Sequence, residues 1–231
     1  MARHEILRAE NLSKTYRMGK IDVPALNRVN LDVEKGDFIV IQGPSGSGKT
    51  TLLNLLGALD NPTSGEVWIE DTNITRRKEG GLSQIRRRKI GFVFQFYNLI
   101  PKMPAIDNVQ LPMIFAKTPR AVRREKAVKL LKAVSLEHRL QHEPSELSAG
   151  EQQRVAIARA LANDPIIVLM DEPTGNLDDE NTQNIMSLLE GLNKETKQTF
   201  ILTTHNISLT KYANKVYFLH NGSLTSGPKN A

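Results

Sequence analysis

Phe38-Ile39-Val40-Ile41-Gln42-Gly43-Pro44-Ser45-Gly46-Ser47-Gly48-Lys49-Thr50-Thr51 is the stretch that decides how this chain is read. Its first four residues are apolar and rich in strand formers, the pattern of a strand buried on both faces. Gly43 to Thr50 then satisfies G-x-x-x-x-G-K-[ST], placed after that strand and opening a helix predicted over 49–59. Leu52, Leu53, Leu55 and Leu56 give this helix its inward face. The glycines let the loop curl so that successive N–H groups face one anion, and the helix start adds the positive end of its dipole. Lys49 is placed to reach the β- and γ-phosphates of a nucleotide, and the Thr50 hydroxyl to ligate Mg²⁺.

Outward from this loop, short apolar runs alternate with helical patterns, which implies an α/β domain with a largely parallel sheet. Ile90 to Phe94, Ile166 to Met170, Thr199 to Thr203 and Val216 to Leu219 read as further strands, the last closed by a turn at His220-Asn221-Gly222. Ile6 to Tyr16 and Asn27 to Val33 alternate in polarity and read as antiparallel sheet. From about Asn98 to Glu143 the chain turns helical and basic, punctuated by Pro101, Pro104, Pro112 and Pro119. Pro119 sits at a helix start, and Val122, Ala127, Leu130, Leu131 and Val134 are assigned to that helix's apolar face.

Composition narrows the function classes. With 231 residues the chain fits one large domain, or a core with an inserted subdomain. Hydrophobic residues at 39% and charged residues at 24% are ordinary for a globular protein. The apolar runs are far shorter than the ~20 residues of a spanning helix. Met1-Ala2-Arg3-His4-Glu5 leads into a charged stretch without the apolar core of a signal peptide. Cysteine is absent, which excludes disulfide frameworks and cysteine-rich zinc sites. The net charge of +6 admits phosphate ligands, nucleic acid or anionic membranes. The basic runs Arg76-Arg77-Lys78, Arg86-Arg87-Arg88-Lys89 and Arg120 with Arg123-Arg124 lack interleaved aromatics for base stacking, so they are assigned to solvated faces and nucleic acid is not expected as a partner.

Two further motifs carry chemistry. Ile166 to Met170 ends in Asp171-Glu172. A carboxylate at a strand's end can hold Mg²⁺ opposite Thr50, and Glu172, expected from strand alternation to point the other way, can polarise a water for attack on the γ-phosphate. Leu147-Ser148-Ala149-Gly150-Glu151-Gln152-Gln153 precedes a helix running to about Asn163. Ser148-x-x-Glu151 reads as a capping box, and equally as a second anion site made of Ser148 and the Ala149 and Gly150 amides. The spacing is compatible with both.

Taken in order, this set resembles the ATP-binding subunit of ABC transporters along essentially the whole chain. Tyr16 matches the aromatic residue that stacks on adenine, and Gly43 to Thr51 the phosphate loop. Gln95 matches the Q-loop glutamine, also a metal ligand, and Leu147 to Gln153 resembles the signature sequence. Asp171 and Glu172 match the Mg²⁺-site aspartate and the general base, Asn176-Leu177-Asp178 the D-loop, and His205 the switch histidine. The resemblance implies a single cassette over residues 1–231. A core of 1–95 and 164–231 holds the antiparallel part near its N-terminus, and a helical subdomain over 96–163 carries the signature. It implies ATP and Mg²⁺ as cofactors and head-to-tail pairing of two copies, with Ser148 of one meeting the γ-phosphate held at Lys49 of the other. It also implies separate transmembrane permease subunits at the cytoplasmic side of the cell membrane. Phe94 to Pro101 and Asn108 to Pro112 resemble the lipoprotein-release and macrolide-export branch. A cell-division type of ATPase, signalling through a membrane partner without transport, is the alternative.

Two residues depart from the family's L-S-G-G-Q. Ala149 is tolerable where its backbone is helical, because a side chain disfavours positive φ. Glu151 brings a negative charge toward the docking γ-phosphate unless the capping box turns it back, and Glu151→Gln is expected to tighten ATP-dependent dimerisation modestly.

Overall fold

The structure, a computed structural model, describes residues 4–227, so Met1 to Arg3 of the N-terminal reading lie outside the described residues. In chain order the strands are β1 (Glu5–Met18), β2 (Ile21–Glu34), β3 (Phe38–Gln42), β4 (Ser64–Ile69), β5 (Thr72–Asn73), β6 (Ile90–Val93), β7 (Ile167–Asp171), β8 (Thr199–Thr204), β9 (Lys215–His220) and β10 (Ser223–Ser226). The α-helices are α1 (Lys49–Leu56), α2 (Glu79–Lys89), α3 (Ala105–Phe115), α4 (Arg120–Ala133), α5 (Ala149–Ala160) and α6 (Asp179–Thr196).

Two sheets result. The larger has the order β10-β9-β3-β8-β7-β6, parallel throughout except for the antiparallel edge strand β10. The smaller, β2-β1-β4-β5, is antiparallel, as the alternation of its first two strands implies. Phe38 and Val40 of β3, Val168 and Met170 of β7, and Phe200 and Leu202 of β8 enter one core together with residues of α3 to α6. Ile39, Ile41, Ile167, Leu169 and Ile201 point the opposite way, into a second core with α1 and the antiparallel sheet. A sheet buried on both faces needs apolar residues at every position, which is why β3, β7 and β8 read as unbroken apolar runs.

Three expectations shift. The first helix ends at Leu56 rather than Leu59, because Gly57 caps it and donates back to the Leu53 carbonyl. Val122 is 53% exposed, whereas Ala127, Leu131 and Val134 are buried. At 3.6 residues per turn, Val122 lies roughly 140° around the helix from Ala127 and so faces away from the core. The run Arg86 to Lys89 forms the last turn of α2, complementing the helix dipole, and part of it is tied down. Arg86 pairs with Glu79 and donates to the Ala58 carbonyl at 2.8 Å, and Lys89 pairs with Glu70. Among the described residues no helix is long and apolar enough to cross a membrane.

What the fold does for function is to bring four chain segments to one edge. The carboxyl ends of the neighbouring strands β3, β8, β7 and β6 lead into the phosphate loop, His205, Asp171-Glu172 and Gln95. In open α/β sheets this is the edge where ligands bind.

Candidate nucleotide site

The loop after β3 is shaped by close backbone approaches. A Cβ on Gly43 would lie 2.3 Å from the Leu219 carbonyl oxygen, and one on Gly48, at φ +105°, 2.5 Å from that of Ala25. Gly46 has φ +78° but open space where its Cβ would be. The N–H groups of Ser45, Gly46, Gly48, Lys49, Thr50 and Thr51 carry no partner among the described residues. Pro44, Ser45 and Gly46 are exposed, while the hydroxyl of buried Ser47 finds no hydrogen-bond partner. Every helix start leaves its first N–H groups unpaired, and here the preceding loop adds those of Ser45 and Gly46 and a buried Ser47 hydroxyl. This surplus of donors at a helix start fits a triphosphate.

Lys49 is 5% exposed, and its ammonium donates to the carbonyls of Gly43 (2.9 Å) and Pro44 (3.0 Å). It also lies 3.2 Å from Glu172 Oε1. The Thr50 hydroxyl donates to Asp171 Oδ2 at 2.8 Å, and the Thr203 hydroxyl donates to Asp171 Oδ1 at 2.8 Å. Glu172 Oε2 lies 2.7 Å from His205 Nδ1. An ionised carboxylate only accepts, so Nδ1 carries the proton and Nε2 is the ring nitrogen available to a ligand.

Glu172 therefore does not point away from Asp171, as alternation implied. Its φ of +44° breaks the strand geometry one residue after β7, and both carboxylates serve the same loop. A left-handed non-glycine residue costs roughly 1–2 kcal/mol, and such strain concentrates where a side chain must be aimed. Thr50 and Asp171 form a hard, all-oxygen donor pair of the kind Mg²⁺ takes. Among the described residues no cluster of three or more His, Asp or Glu groups forms a metal cage.

The remaining sequence candidates fall at the rim. Gln95 is half-buried at the end of β6; its carbonyl accepts from Asn176 Nδ2 at 2.9 Å, and a Cβ on Gly175 would meet its amide nitrogen at 3.0 Å. Tyr16 pairs with Val23 across the antiparallel sheet, two residues from Ala25, the residue against which Gly48 packs. Its hydroxyl donates to Asp60 Oδ2 at 2.9 Å, and the Lys14 ammonium lies 4.8 Å from its ring centre.

At the start of α5 the capping box is present. The Glu151 N–H donates to Ser148 Oγ at 3.3 Å, and the Ser148 N–H donates to Glu151 Oε2 at 2.8 Å. Ala149 is the first helical residue, the backbone state in which its side chain is tolerated. Gly150 packs closely on α6: a Cβ there would lie 2.5 Å from Asn181 Oδ1, the end of a side chain that would have to shift. Glu151 Oε1 is also held by Arg139 Nε at 3.2 Å, so its charge is turned back into the protein. Burial works to raise its pKa, but the Ser148 hydrogen bonds and the Arg139 charge outweigh this and hold it below the ordinary glutamate value. The capping box thus turns the Glu151 carboxylate back toward Ser148, and Arg139 balances its charge. No hydrogen bond or ion pair among the described residues joins Ser148–Glu151 to the phosphate loop of the same chain.

Several contributing residues carry no signal of their own. Asp60 and Lys14 pin Tyr16, Thr203 orients Asp171, and Asn181 sits between Gly150 and Asp178, from which it takes the cap of α6 at 2.8 Å. Arg159 lies in α5 and donates to the carbonyls of Tyr97 (2.6 Å) and Asn98 (2.5 Å) just past Gln95. Burial lowers its pKa to about 10, so it stays charged at neutral pH.

A contrast between two glycines tests the cradle. Gly46→Ala leaves the free protein within about 1–2 kcal/mol of the parent, because only backbone strain is added. It should nonetheless weaken nucleotide binding at least tenfold, since the new methyl enters the space open to phosphate. Gly43→Ala should lose both stability and binding. Thermal melts with and without ATP read both effects, and equal ATP-induced shifts in parent and Gly46→Ala would remove the cradle.

The fold and this edge define a P-loop nucleoside-triphosphate-binding protein. Residues 26–175 match the ABC transporter family. An uncharacterized ABC transporter ATP-binding protein of Methanocaldococcus jannaschii is 46% identical over 223 residues, covering 95% of both chains. The lipoprotein-releasing system ATP-binding protein LolD of Saccharophagus degradans is 46% identical over 219 residues, covering 95% of this chain and 96% of its own. Among solved structures, a dimeric post-hydrolysis state of the ATP-binding cassette MJ0796 bound to ADP and Pi superposes with a TM-score of 0.90 at 43% identity, over 98% of this chain and 100% of that one. The chain belongs to the ABC transporter family, as an ATP-binding cassette.

Proposed function

We propose that this cassette hydrolyses ATP as a head-to-tail pair of two copies and thereby powers separate permease subunits, at the cytoplasmic face of the membrane, in lipoprotein release or export. The observation that carries the hydrolytic part is Glu172, whose one carboxylate contacts both Lys49 and His205 beside the Thr50–Asp171 pair. The loop amides and Lys49 bind the β- and γ-phosphates, and Tyr16 stacks on adenine. Thr50 and Asp171, with Gln95, would hold Mg²⁺, which when bound would supply positive charge to the phosphates. Glu172 accepts a proton from a water whose oxygen bonds to the γ-phosphorus, while the bond to the β–γ bridging oxygen breaks and leaves ADP. His205 contacts the γ-phosphate and the attacking water, and Ser148, Ala149 and Gly150 of the second copy close over it.

Residues 96–163 are proposed to form the helical subdomain that moves against a core of 1–95 and 164–231. A groove of about 460 Å³ between α2, β6, α3 and α5, with Phe115 62% exposed at its edge, supports docking of a permease there. The names of the LolD relatives support lipoprotein release as the branch. Two measurements test this reading. ATP should double the 25.8 kDa solution mass of a hydrolysis-deficient variant, and tagged cassette should co-purify with a membrane subunit that stimulates its turnover. A mass indifferent to ATP removes the pairing, and absence of any membrane subunit removes the permease.

A further inference from the structure

The start of α5 divides its hydrogen-bonding groups in a particular way. The capping box uses the N–H groups of Ser148 and Glu151. The Ala149 and Gly150 N–H groups are left without partners among the described residues, and the Ser148 hydroxyl, accepting from Glu151, keeps its own proton to donate. Three donors and the positive end of a helix are thus free for an anion, but the box that leaves them free also puts a carboxylate beside them. Left uncompensated, that carboxylate opposes the anion.

Arg139, twelve residues earlier in the loop after α4, is the cation facing it. Its Nε donates to Glu151 Oε1 at 3.2 Å, the oxygen not used by Ser148, so each carboxylate oxygen has one partner. Arg139 is itself oriented by His142, whose Nε2 lies 3.0 Å from Nη1. Arginine has no acceptor, so this ring nitrogen accepts. The Glu151 side chain is 21% exposed, so the pair is partly shielded from solvent and from salt.

We propose that Arg139 is a positioning residue for ATP-driven pairing: it holds Glu151 against Ser148 and cancels its charge, so that the start of α5 meets the partner copy's triphosphate as a donor set without net repulsion. Arg139 acts through Glu151 and does not itself touch the nucleotide. The proposal rests on the head-to-tail reading above.

The dimer affinity of the ATP-bound, Glu172→Gln protein, measured by sedimentation at two salt concentrations, tests it through a double-mutant cycle. Arg139→Gln should weaken the dimer about tenfold, or 1.4 kcal/mol, and added salt should recover part of the loss by screening the exposed charge. Glu151→Gln alone should stay within threefold of the parent. The double variant should return to within threefold as well, a rescue that a merely structural arginine would not show. ATP affinity of the isolated monomer should be unchanged in all three. If Arg139→Gln folds poorly, Arg139→Lys, which keeps charge but loses the guanidinium geometry, should show a smaller defect that Glu151→Gln again relieves. A double variant as weak as Arg139→Gln, or Glu151→Gln dimers tenfold tighter than the parent, overturns the proposal. Ser148→Arg separates the two levels. If that bulky change leaves pairing intact, the head-to-tail reading fails; if it abolishes pairing while the cycle shows no coupling, only the role of Arg139 fails.

Discussion

Glu172→Gln is expected to lower ATP turnover by about two to four orders of magnitude, the range spanned by a positioned general base. The amide is nearly isosteric with the carboxylate but takes no proton from water at neutral pH. Only its carbonyl oxygen still accepts, so it replaces one of the two contacts at 3.2 Å to Lys49 and 2.7 Å to His205. Binding should not suffer. The substitution removes a negative charge next to the incoming γ-phosphate and frees Lys49 from a competing partner, so ATP affinity should stay equal or rise a few-fold. Turnover and affinity therefore move apart, which distinguishes loss of the chemical step from a damaged site. Glu172→Asp should also fail, by at least about tenfold, because a carboxylate withdrawn by one methylene no longer reaches a water set by fixed phosphates. Steady-state phosphate release and a nucleotide titration supply both numbers. Near-normal turnover in Glu172→Gln removes this residue from the role.

How much of this was legible in the sequence follows from range. The strands of the parallel sheet are continuous apolar runs because both faces are buried, and the Asn221-Gly222 hairpin turn carries φ of +47° and +74°, as that dipeptide favours. β4 has no clear strand signature because Ser64, Gly65 and Glu66 dilute its pattern, and α2 has no apolar stripe because Leu82 is its one buried residue. The phosphate loop, Asp171-Glu172 and the capping box are local, so spacing exposes them. The contacts that orient them are not local. Tyr16 meets Asp60 across 44 residues and Asp171 meets Thr203 across 32, and no window of sequence contains either pair. Glu172 shows the limit in a single residue. Alternation sends it away from Asp171, and the left-handed backbone that brings it back has no local signature, since glutamate is not a residue that favours it.

Lys49→Ala is expected to lower ATP affinity at least about 100-fold, near 2.8 kcal/mol. The contacts of Lys49 within the chain show why the loss, though large, is less than the gross attraction between ammonium and triphosphate. Lys49 already donates to the Gly43 and Pro44 carbonyls and pairs with Glu172, so phosphate oxygens would take over an ammonium that already has partners. The affinity it supplies is a difference between two satisfied states. That same arrangement makes the free protein sensitive. Removing a cation that is 5% exposed leaves two carbonyls and a carboxylate short of a donor, a cost of about 1–3 kcal/mol tempered by water entering the loop. For a chain of 231 residues each kcal/mol moves the melting temperature by about 2–4 °C. The variant should therefore melt a few degrees below the parent without nucleotide. The gap should widen with ATP, since only the parent gains the stabilisation that grows as the logarithm of ligand over Kd. Lys49→Arg should not restore binding, because a planar guanidinium does not fit a buried pocket shaped around a compact ammonium. The decisive comparison is the ATP-induced shift. If it is the same in Lys49→Ala as in the parent, the ammonium does not hold the phosphates, and the three contacts around it are structural alone.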